Sequence, residues 1–192
     1  SIDVNFIYKY EENKREQKIK NSEDIDETDH KEWPLLYIAV ENNNIDIVNL
    51  LFSKQNLSIN CKYVHKNEKK IRNNYYNSKI EYIEKEEKSA FYLAIEKNNS
   101  EIVHLFISNK NIDINFRYIY DYSESSHYSG GSTYRSKNNN IPSFYRAVEI
   151  GNTKIINDML SHPNIDVNSK CRTYDGSYNH EYTPLKRAVS MN

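Results

Sequence analysis

The 192-residue sequence has few of the residues and runs that mark several common protein classes. Its two cysteines, Cys61 and Cys171, lie far apart with no second cysteine near either, which excludes a disulfide framework and a zinc-finger spacing. The longest apolar run, residues 35–40, is far shorter than the roughly 20 residues that span a bilayer. No signal-like apolar segment opens the sequence. We therefore expect an intracellular chain, cytoplasmic and outside membranes.

The sequence also lacks an excess of charge of either sign. Lysine and arginine total 26, aspartate and glutamate total 27, and the formal net charge is −1. Nucleic acids and anionic membranes usually attract proteins with a strong excess of lysine and arginine. The balance therefore disfavours a general polyanion binder.

Patterns for catalysis and metal binding are missing as well. The six histidines form no His-x-x-x-His pair, so a zinc hydrolase lacks its ligand spacing. Gly130 and Gly131 are not followed by Gly-Lys-Ser or Gly-Lys-Thr, so the sequence has no phosphate-binding loop of that type. We expect no catalytic residues, no metal, no cofactor and no small-molecule substrate.

What the sequence does contain is an internal repeat. A short apolar pattern built around an alanine recurs four times, at 36–41, 91–96, 144–149 and 185–190. The first three copies are followed, at a constant distance, by a second apolar block and a triplet that ends in Asn60, Asn115 or Asn168. Recurrence of this kind is the sequence signature of stacked repeats.

Each of these three copies is predicted to fold as two short antiparallel helices. The apolar residues recur at helical spacing, and the break falls at Asn43, Asn98 or Gly151. Asparagine and glycine tolerate the left-handed conformation that ends a helix. Neither helix can bury its apolar face alone, so successive pairs should stack. The predicted helix-pair modules are 34–60, 89–115 and 142–168.

The repeat resembles the ankyrin repeat family. Residues 183–188 read Thr-Pro-Leu-Lys-Arg-Ala and match that family's Thr-Pro-Leu-His-x-Ala signature except at the histidine. Looser copies end at Ala39, Ala94 and Ala147. The resemblance implies a mainly α fold: an ankyrin-type helix-pair solenoid with elongated β-hairpin or loop insertions between its repeats.

One array accounts for the whole sequence, 1–192, in this interpretation. Residues 1–5 form the tail of a truncated repeat, and 183–192 form the start of another. Between the modules lie insertions that we interpret as fingers, at 6–33, 61–88, 116–141 and 169–182.

The four insertions carry different local signals. Gly130-Gly131 and Asp175-Gly176 predict hairpin turns in the last two insertions. Ile80 and Tyr82 alternate as in a strand, which predicts a return strand in the second insertion before its charged end. The first insertion is rich in charges of both signs, which predicts a mobile, solvated loop in its middle.

Tyrosines of the insertions are the first candidate partner-binding residues. Tyrosine gives a large, fairly rigid contact area with a polar tip, and it is enriched at interface centres. The candidates are Tyr120, Tyr122, Tyr128, Tyr134, Tyr174 and Tyr178. Alternatively, neighbouring fingers pair edge to edge and their tyrosines form cross-strand ladders. We favour the ladder for Tyr8, Tyr63 and Tyr118, which share one register.

The ends of the first helices are the second candidate surface. Ankyrin arrays bind partners through hairpin tips and through the exposed end of the first helix of each pair, so the resemblance implies a role for that end here. The corresponding residues are Glu41, Asn42, Glu96, Lys97, Glu149 and Ile150. One glutamate in each copy would give the groove an acidic row. The alternative is a solvated helix end without a partner.

The leading functional prediction is a noncatalytic scaffold that binds another protein through a concave groove and tyrosine-rich fingers. One alternative is a segment that recruits substrates for a larger enzyme or modifying factor. Another is a binder of single-stranded nucleic acid, in which tyrosines stack on bases beside Lys69, Lys70 and Arg72. The acidic residues Glu81 and Glu84 argue against that alternative.

Overall fold

The segments between the helix pairs are strands, and they occupy more of the structure than the helices do. The computed structural model describes residues 3–18, 23–74, 77–174 and 177–191. Within these residues, 44% lie in strands and 29% in helices. The prediction of a mainly α solenoid is therefore wrong.

Strands and helices alternate along the chain as hairpins and helix pairs. The strands are β1 (Ile7–Lys18), β2 (Glu23–Pro34), β3 (Lys62–Asn73), β4 (Ser78–Ser89), β5 (Arg117–Tyr128), β6 (Gly131–Pro142), β7 (Cys171–Tyr174) and β8 (Asn179–Tyr182). The helices are α1 (Leu35–Glu41), α2 (Ile45–Phe52), α3 (Ala90–Glu96), α4 (Ser100–Ile107), α5 (Ser143–Ile150), α6 (Thr153–Leu160) and α7 (Pro184–Ser190).

All eight strands form one antiparallel sheet in chain order, β1 to β8. Each of the first three hairpins has two strands of 12 residues. Strands of that length expose a long row of main-chain hydrogen-bonding groups at each hairpin edge, and the neighbouring hairpin satisfies those groups. The insertions therefore join into a single sheet and do not project separately, which is why the sheet dominates the fold.

The first insertion is a hairpin of two paired strands, so the prediction of a mobile loop in its middle is wrong for the residues that the structure describes. Its charges pair across strands: Lys9 Nζ lies 2.7 Å from a Glu32 carboxylate oxygen, and Lys69 Nζ lies 3.2 Å from one of Glu27. Opposite charges on facing strands stabilise a sheet. Lys9, Lys14 and Arg15 of β1 each face an acidic residue of β2, so opposite charges support the pairing of these two strands.

Two turn predictions have different outcomes. In the third hairpin Tyr128 pairs with Gly131, so the two-residue turn is Ser129-Gly130, one residue earlier than the predicted glycine pair. The predicted turn at Asp175-Gly176 lies outside the described residues. The predicted return strand of the second insertion is observed as β4, and it includes the charged end.

The hydrophobic core lies between stacked helix pairs. Phe106 of α4 is fully buried, and its ring centroid lies 5.1 Å from that of Phe52 in α2 and 5.7 Å from that of Phe91 in α3. Ala94 of α3 is also fully buried, and its small side chain lets the first helices of neighbouring pairs approach each other. One continuous core therefore joins successive pairs.

Asparagine links the helix turns of neighbouring repeats. Asn43 and Asn98 adopt positive φ of 52° and 55° between the paired helices, and Gly151 takes this place with φ of 77°. The next residue caps the second helix: Asn99 Oδ1 accepts hydrogen bonds from the first turn of α4. Its Nδ2 donates to Asn43 Oδ1 of the preceding repeat at 2.6 Å, and Asn152 donates likewise to Asn98.

A second row of asparagines ties the ends of the repeats together. Asn60 Nδ2 donates to the Asn111 carbonyl at 2.9 Å, and its Oδ1 accepts from the Asp113 N–H at 2.8 Å. Asn5 and Asn115 make the same pair of bonds to the repeat that follows each of them. Each asparagine side-chain amide therefore takes the place of a main-chain hydrogen-bond partner for two main-chain groups of the next repeat. This clamp fixes the spacing between repeats.

Candidate functional site: the tyrosine face of the sheet

Successive residues of a strand point to opposite sides of the sheet. We call the side that carries Tyr8, Tyr63 and Tyr118 the tyrosine face. The first helices lie against it: the Tyr37 ring of α1 stacks on Tyr63, and the Tyr92 ring of α3 stacks on Tyr118, both with centroids 5.3 Å apart. The tyrosine face and the first helices therefore meet at an inner corner, which we call the groove.

The row of residues nearest the helices is a packing layer. Trp33 lies between Tyr8 and Tyr63, with ring centroids 5.6 and 5.8 Å away. The predicted ladder is confirmed for these two tyrosines. Lys88 takes the next place in the row, and its Nζ lies 4.9 Å from the centroid of the Tyr118 ring. These strand-base residues join sheet and helices.

Farther out, the same face carries aromatic side chains that are only half-buried. Tyr120 and Tyr122 follow Tyr118 along β5, and Glu86 and Glu84 lie directly opposite them on β4. The Tyr122 hydroxyl donates to Glu124 at 3.1 Å. Both rings thus have carboxylates nearby, and Lys137 Nζ lies 5.7 Å from the centroid of the Tyr120 ring. All the aromatic residues of the described strands except Tyr134 and Tyr174 lie on this face.

An isoleucine row crosses the tyrosine face nearer the finger tips. Ile25 of β2 pairs with Ile71 of β3, which pairs with Ile80 of β4. All three are half-buried although none belongs to the core between the helices. Tyr82 lies on the same side of β4, two residues closer to the helices than Ile80. Together with the isoleucine row it extends the apolar surface across three strands.

The predicted tyrosines do not form one surface. Tyr120, Tyr122 and Tyr128 lie on the tyrosine face, whereas Tyr134 and Tyr174 lie on the opposite side of the sheet. Tyr134 pairs with Ser125, an odd-numbered residue of β5, and its side chain is 69% exposed. Tyr178 lies outside the strands and is 71% exposed.

Two of the three glutamates in the predicted acidic row, Glu96 and Glu149, are paired with neighbouring cations, whereas Glu41 is exposed. Arg146 bridges two repeats, 3.5 Å from Glu96 of α3 and 2.7 Å from Glu149 of its own helix. Arg187 of α7 lies 3.0 Å from Glu149, and Lys88 lies 3.0 Å from Glu96. Both glutamates are about three-quarters buried, so neither a free acidic row nor a solvated helix end describes them.

The other predicted groove residues differ in exposure. Glu41, Asn42 and Lys97 are exposed, and the Asn42 Nδ2 donates to the Ile38 carbonyl at 2.9 Å, which closes α1. Ile150 is half-buried against the core. The groove therefore presents polar helix ends beside the aromatic sheet face.

The fourth repeat leaves a recess at the corner. Cys171 stands where Tyr63 and Tyr118 fill the space beside the helices in the earlier copies. A cavity of about 300 Å³ lies next to it, lined by Tyr145 and Arg187 among others. The recess is large enough to take one side chain of a partner.

The two cysteine thiols have raised pKa values, and metal-ligating side chains are dispersed within the described part of the chain. Burial raises the pKa of Cys61 to about 12 and that of Cys171 to about 11, so both thiols stay protonated near neutral pH. Within the described part of the chain, no three histidine, cysteine or carboxylate side chains are grouped closely enough to hold a metal ion.

Alkaline titration should detect tyrosines that ionise only at strongly alkaline pH. Burial raises the pKa of Tyr63, Tyr120 and Tyr145 to about 12, and nearby carboxylates add to the increase for Tyr63 and Tyr120. The unfolded chain ionises near the ordinary value of about 10, so the stability from these phenols is complete below about pH 10 and is lost as the pH rises toward 12.

Tyrosinate absorbance and circular dichroism, followed together, check this prediction. Tyr63, Tyr120 and Tyr145 should ionise above about pH 10, together with unfolding. Ionisation of all tyrosines near pH 10 without unfolding would contradict the buried environment described above.

Helix pairs and hairpins that recur along one axis define a class, the stacked-repeat proteins. The family model for ankyrin repeats, three copies, matches residues 11–118, which is more than half of the chain. The chain therefore belongs to the ankyrin repeat family, as its sequence predicted. Repeats of this family are generally modules for protein–protein interaction. A search of curated proteins and a search of solved structures each found no match.

No helix among the described residues is long and apolar enough to cross a membrane.

Proposed function

We propose that the protein is a noncatalytic interaction module that binds another protein on the tyrosine face and along the adjoining helix ends. The observation that carries the proposal is the asymmetry of the sheet. One side gathers nearly all the aromatic residues of the strands and the isoleucine row, and these side chains stay partly open to solvent beyond the strand base. Partly exposed aromatic clusters with polar rims are typical of protein-binding surfaces.

Rigid display is the mechanism that we propose. The asparagine clamps hold successive repeats at fixed spacing, and the hairpins are joined edge to edge. A partner would therefore meet a preorganised surface, so binding would cost little ordering entropy on this side of the interface. Each repeat adds a strip of contact. The recess beside Cys171 would accept a side chain of the partner at the end of the groove.

Carboxylates on this face favour a protein over a nucleic acid. Glu84, Glu86 and Glu124 lie among the half-buried tyrosines, at positions that a phosphate backbone would approach. Their charge opposes binding of single strands, in which bases stack on aromatic rings while cations hold the phosphates. The same groups can accept hydrogen bonds from a protein partner.

Affinity capture with paired variants tests the proposal. The variant Tyr82→Ala/Tyr120→Ala/Tyr122→Ala removes three rings of the tyrosine face, and the control Tyr134→Ala/Tyr174→Ala removes one exposed and one half-buried ring from the other side. From an extract of the source organism, a partner should be retained by the wild type and the control but not by the triple variant. With the recovered partner, the triple variant should bind roughly 100-fold more weakly, since rings at interface centres often contribute 1–2 kcal/mol or more each.

Circular dichroism must show that the triple variant is folded. Equal affinity of the wild type and the triple variant would exclude the tyrosine face as the binding surface, and equal loss in the control would show that the face is not specific.

A further inference from the structure

The recess beside Cys171 lacks two side chains that the earlier copies of the repeat place at the same corner. The tyrosine that recurs at the strand base is replaced by Cys171, and the glutamate that recurs at the end of the first helix is replaced by Ser190. Both smaller residues line the cavity of about 300 Å³. The corner is therefore short of one aromatic ring and one carboxylate.

This recess lies inside the array, between α5 and α7. The rest of its lining comes from the strands β6, β7 and β8, and Tyr145 and Cys171 are only 5% and 2% exposed. In the two earlier corners a tyrosine of the sheet stacks on the corresponding tyrosine of the first helix, with ring centroids 5.3 Å apart. Because residues of one repeat fill each of those corners, the recess results from the two replacements and not from an open edge of the sheet.

Arginine side chains carry the positive charge at this corner. Arg146 of α5 lies between two carboxylates, 3.5 Å from Glu96 and 2.7 Å from Glu149. Arg187 occupies the same place in α7, directly before the repeated alanine, but it has one carboxylate within the described part of the chain, Glu149 at 3.0 Å. It shares that carboxylate with Arg146. The recess is therefore bordered by a guanidinium group with a single, shared counter-charge.

The missing second carboxylate can be traced to one position. Residues three apart in a helix lie on the same face, and Arg146 pairs in this way with Glu149. The residue three positions after Arg187 is Ser190, whose hydroxyl donates to the Arg187 carbonyl at 2.8 Å. A carboxylate that entered the recess would lie where the earlier copy has its own glutamate.

We propose that the recess binds a carboxylate group, which an acidic side chain of the partner supplies in place of the missing glutamate. This rests on the proposed function, which supplies the protein partner. Carboxylate and guanidinium groups form short, charge-assisted hydrogen bonds, often two in parallel. The bound group gives Arg187 the second counter-charge that Arg146 already has.

The walls of the recess favour an aliphatic acid over a phosphate. Ile141, Tyr145 and Tyr182 line it beside the charged groups, so methylene groups of an acidic side chain can pack against apolar surface. A phosphate group would bring nearly two negative charges next to Glu149, which also lines the recess. A single carboxylate matches the one guanidinium group.

Propionate, which has the three carbons of a glutamate side chain, is the first probe. Titration of the isotope-labelled chain, followed by NMR, should shift the Arg187 and Cys171 signals saturably, with a dissociation constant of about 1–10 mM. Propionamide has nearly the same shape without the charge and should cause no such shift. A wild type without a saturable response, or with an equal response to propionamide, overturns the proposal.

Three variants close the site in different ways. Cys171→Tyr and Ser190→Glu restore the ring and the carboxylate of the earlier copies, and Arg187→Gln removes the guanidinium group. Each should weaken propionate binding roughly tenfold or more, because a hydrogen bond to a charged group contributes about that factor. Matched controls carry the same changes at exposed positions, and Ser108→Glu and Arg15→Gln should bind as the wild type does. Propionate binding of wild-type strength in any of the three recess variants contradicts the proposal.

Affinities for the captured partner separate this proposal from the proposed function. Ser190→Glu and Arg187→Gln should each bind the partner roughly tenfold more weakly. If they bind as the wild type does while the triple tyrosine variant loses the partner, the tyrosine face is the binding surface and only the recess proposal fails. If they bind more weakly and the triple variant is unaffected, the recess is supported and the tyrosine face is excluded. Loss in both sets supports both proposals, and loss in neither overturns both.

Discussion

Replacing Phe106 with alanine should lower the free energy of unfolding by about 3–5 kcal/mol, the usual cost of truncating a buried phenylalanine. The side chain is fully buried and touches rings from two other helices, Phe52 of α2 and Phe91 of α3. The cavity would lie where two successive helix pairs meet, and rigid neighbours could fill it only partly. Because the helix pairs share one core, the loss should appear in a single cooperative transition.

Chemical denaturation followed by circular dichroism measures this effect. Leu50→Ala is a suitable control, since Leu50 lies on α2 but is 59% exposed, and it should cost less than about 1 kcal/mol. Two separate transitions in the Phe106→Ala variant would instead show that the helix pairs unfold independently, as weakly coupled repeats do.

The family could be predicted because its signals are local in sequence. The alanine column, the turn residues Asn43, Asn98 and Gly151 and the closing asparagines recur with constant spacing, and each has a local physical cause. The sheet could not be predicted in the same way. Strand pairs such as Glu27 with Lys69 join residues that are distant in the chain, and a charge-rich segment has no strand signal until its partner strand is known.

The candidate site was predicted less well, because face and charge both depend on register. A two-residue turn makes even-numbered residues pair with odd-numbered ones, so Tyr128 and Tyr134 lie on opposite sides of the sheet. The predicted hairpin turn already implied this separation. The ion pair that neutralises Glu149 also had a visible local signal, since Arg146 lies three residues before it in the same helix. The isoleucine row and the ion pair between Arg146 and Glu96 could be identified only from the structure.

Replacing Asn115 with alanine should lower the free energy of unfolding by about 2 kcal/mol, since two hydrogen bonds of about 1 kcal/mol each are lost. Asn115 Nδ2 donates to the Asn164 carbonyl at 2.7 Å, and its Oδ1 accepts from the Asp166 N–H at 2.9 Å. Both partners are main-chain groups of the next repeat. Water can replace part of the loss because the site is exposed, which limits the effect.

Asn168 is the matched control, because it occupies the same place in the last copy and its side chain makes no hydrogen bond within the described part of the chain. Asn168→Ala should change stability by less than about 0.5 kcal/mol in the same denaturation experiment. Asn115→Asp separates the two bonds: the carboxylate can still accept from the Asp166 N–H but cannot donate to the Asn164 carbonyl. An intermediate loss is expected for it. If Asn115→Ala and Asn168→Ala were equally mild, the asparagine clamps would contribute little to the spacing of the repeats, and the rigid display that we propose would depend on the helix core and the sheet alone.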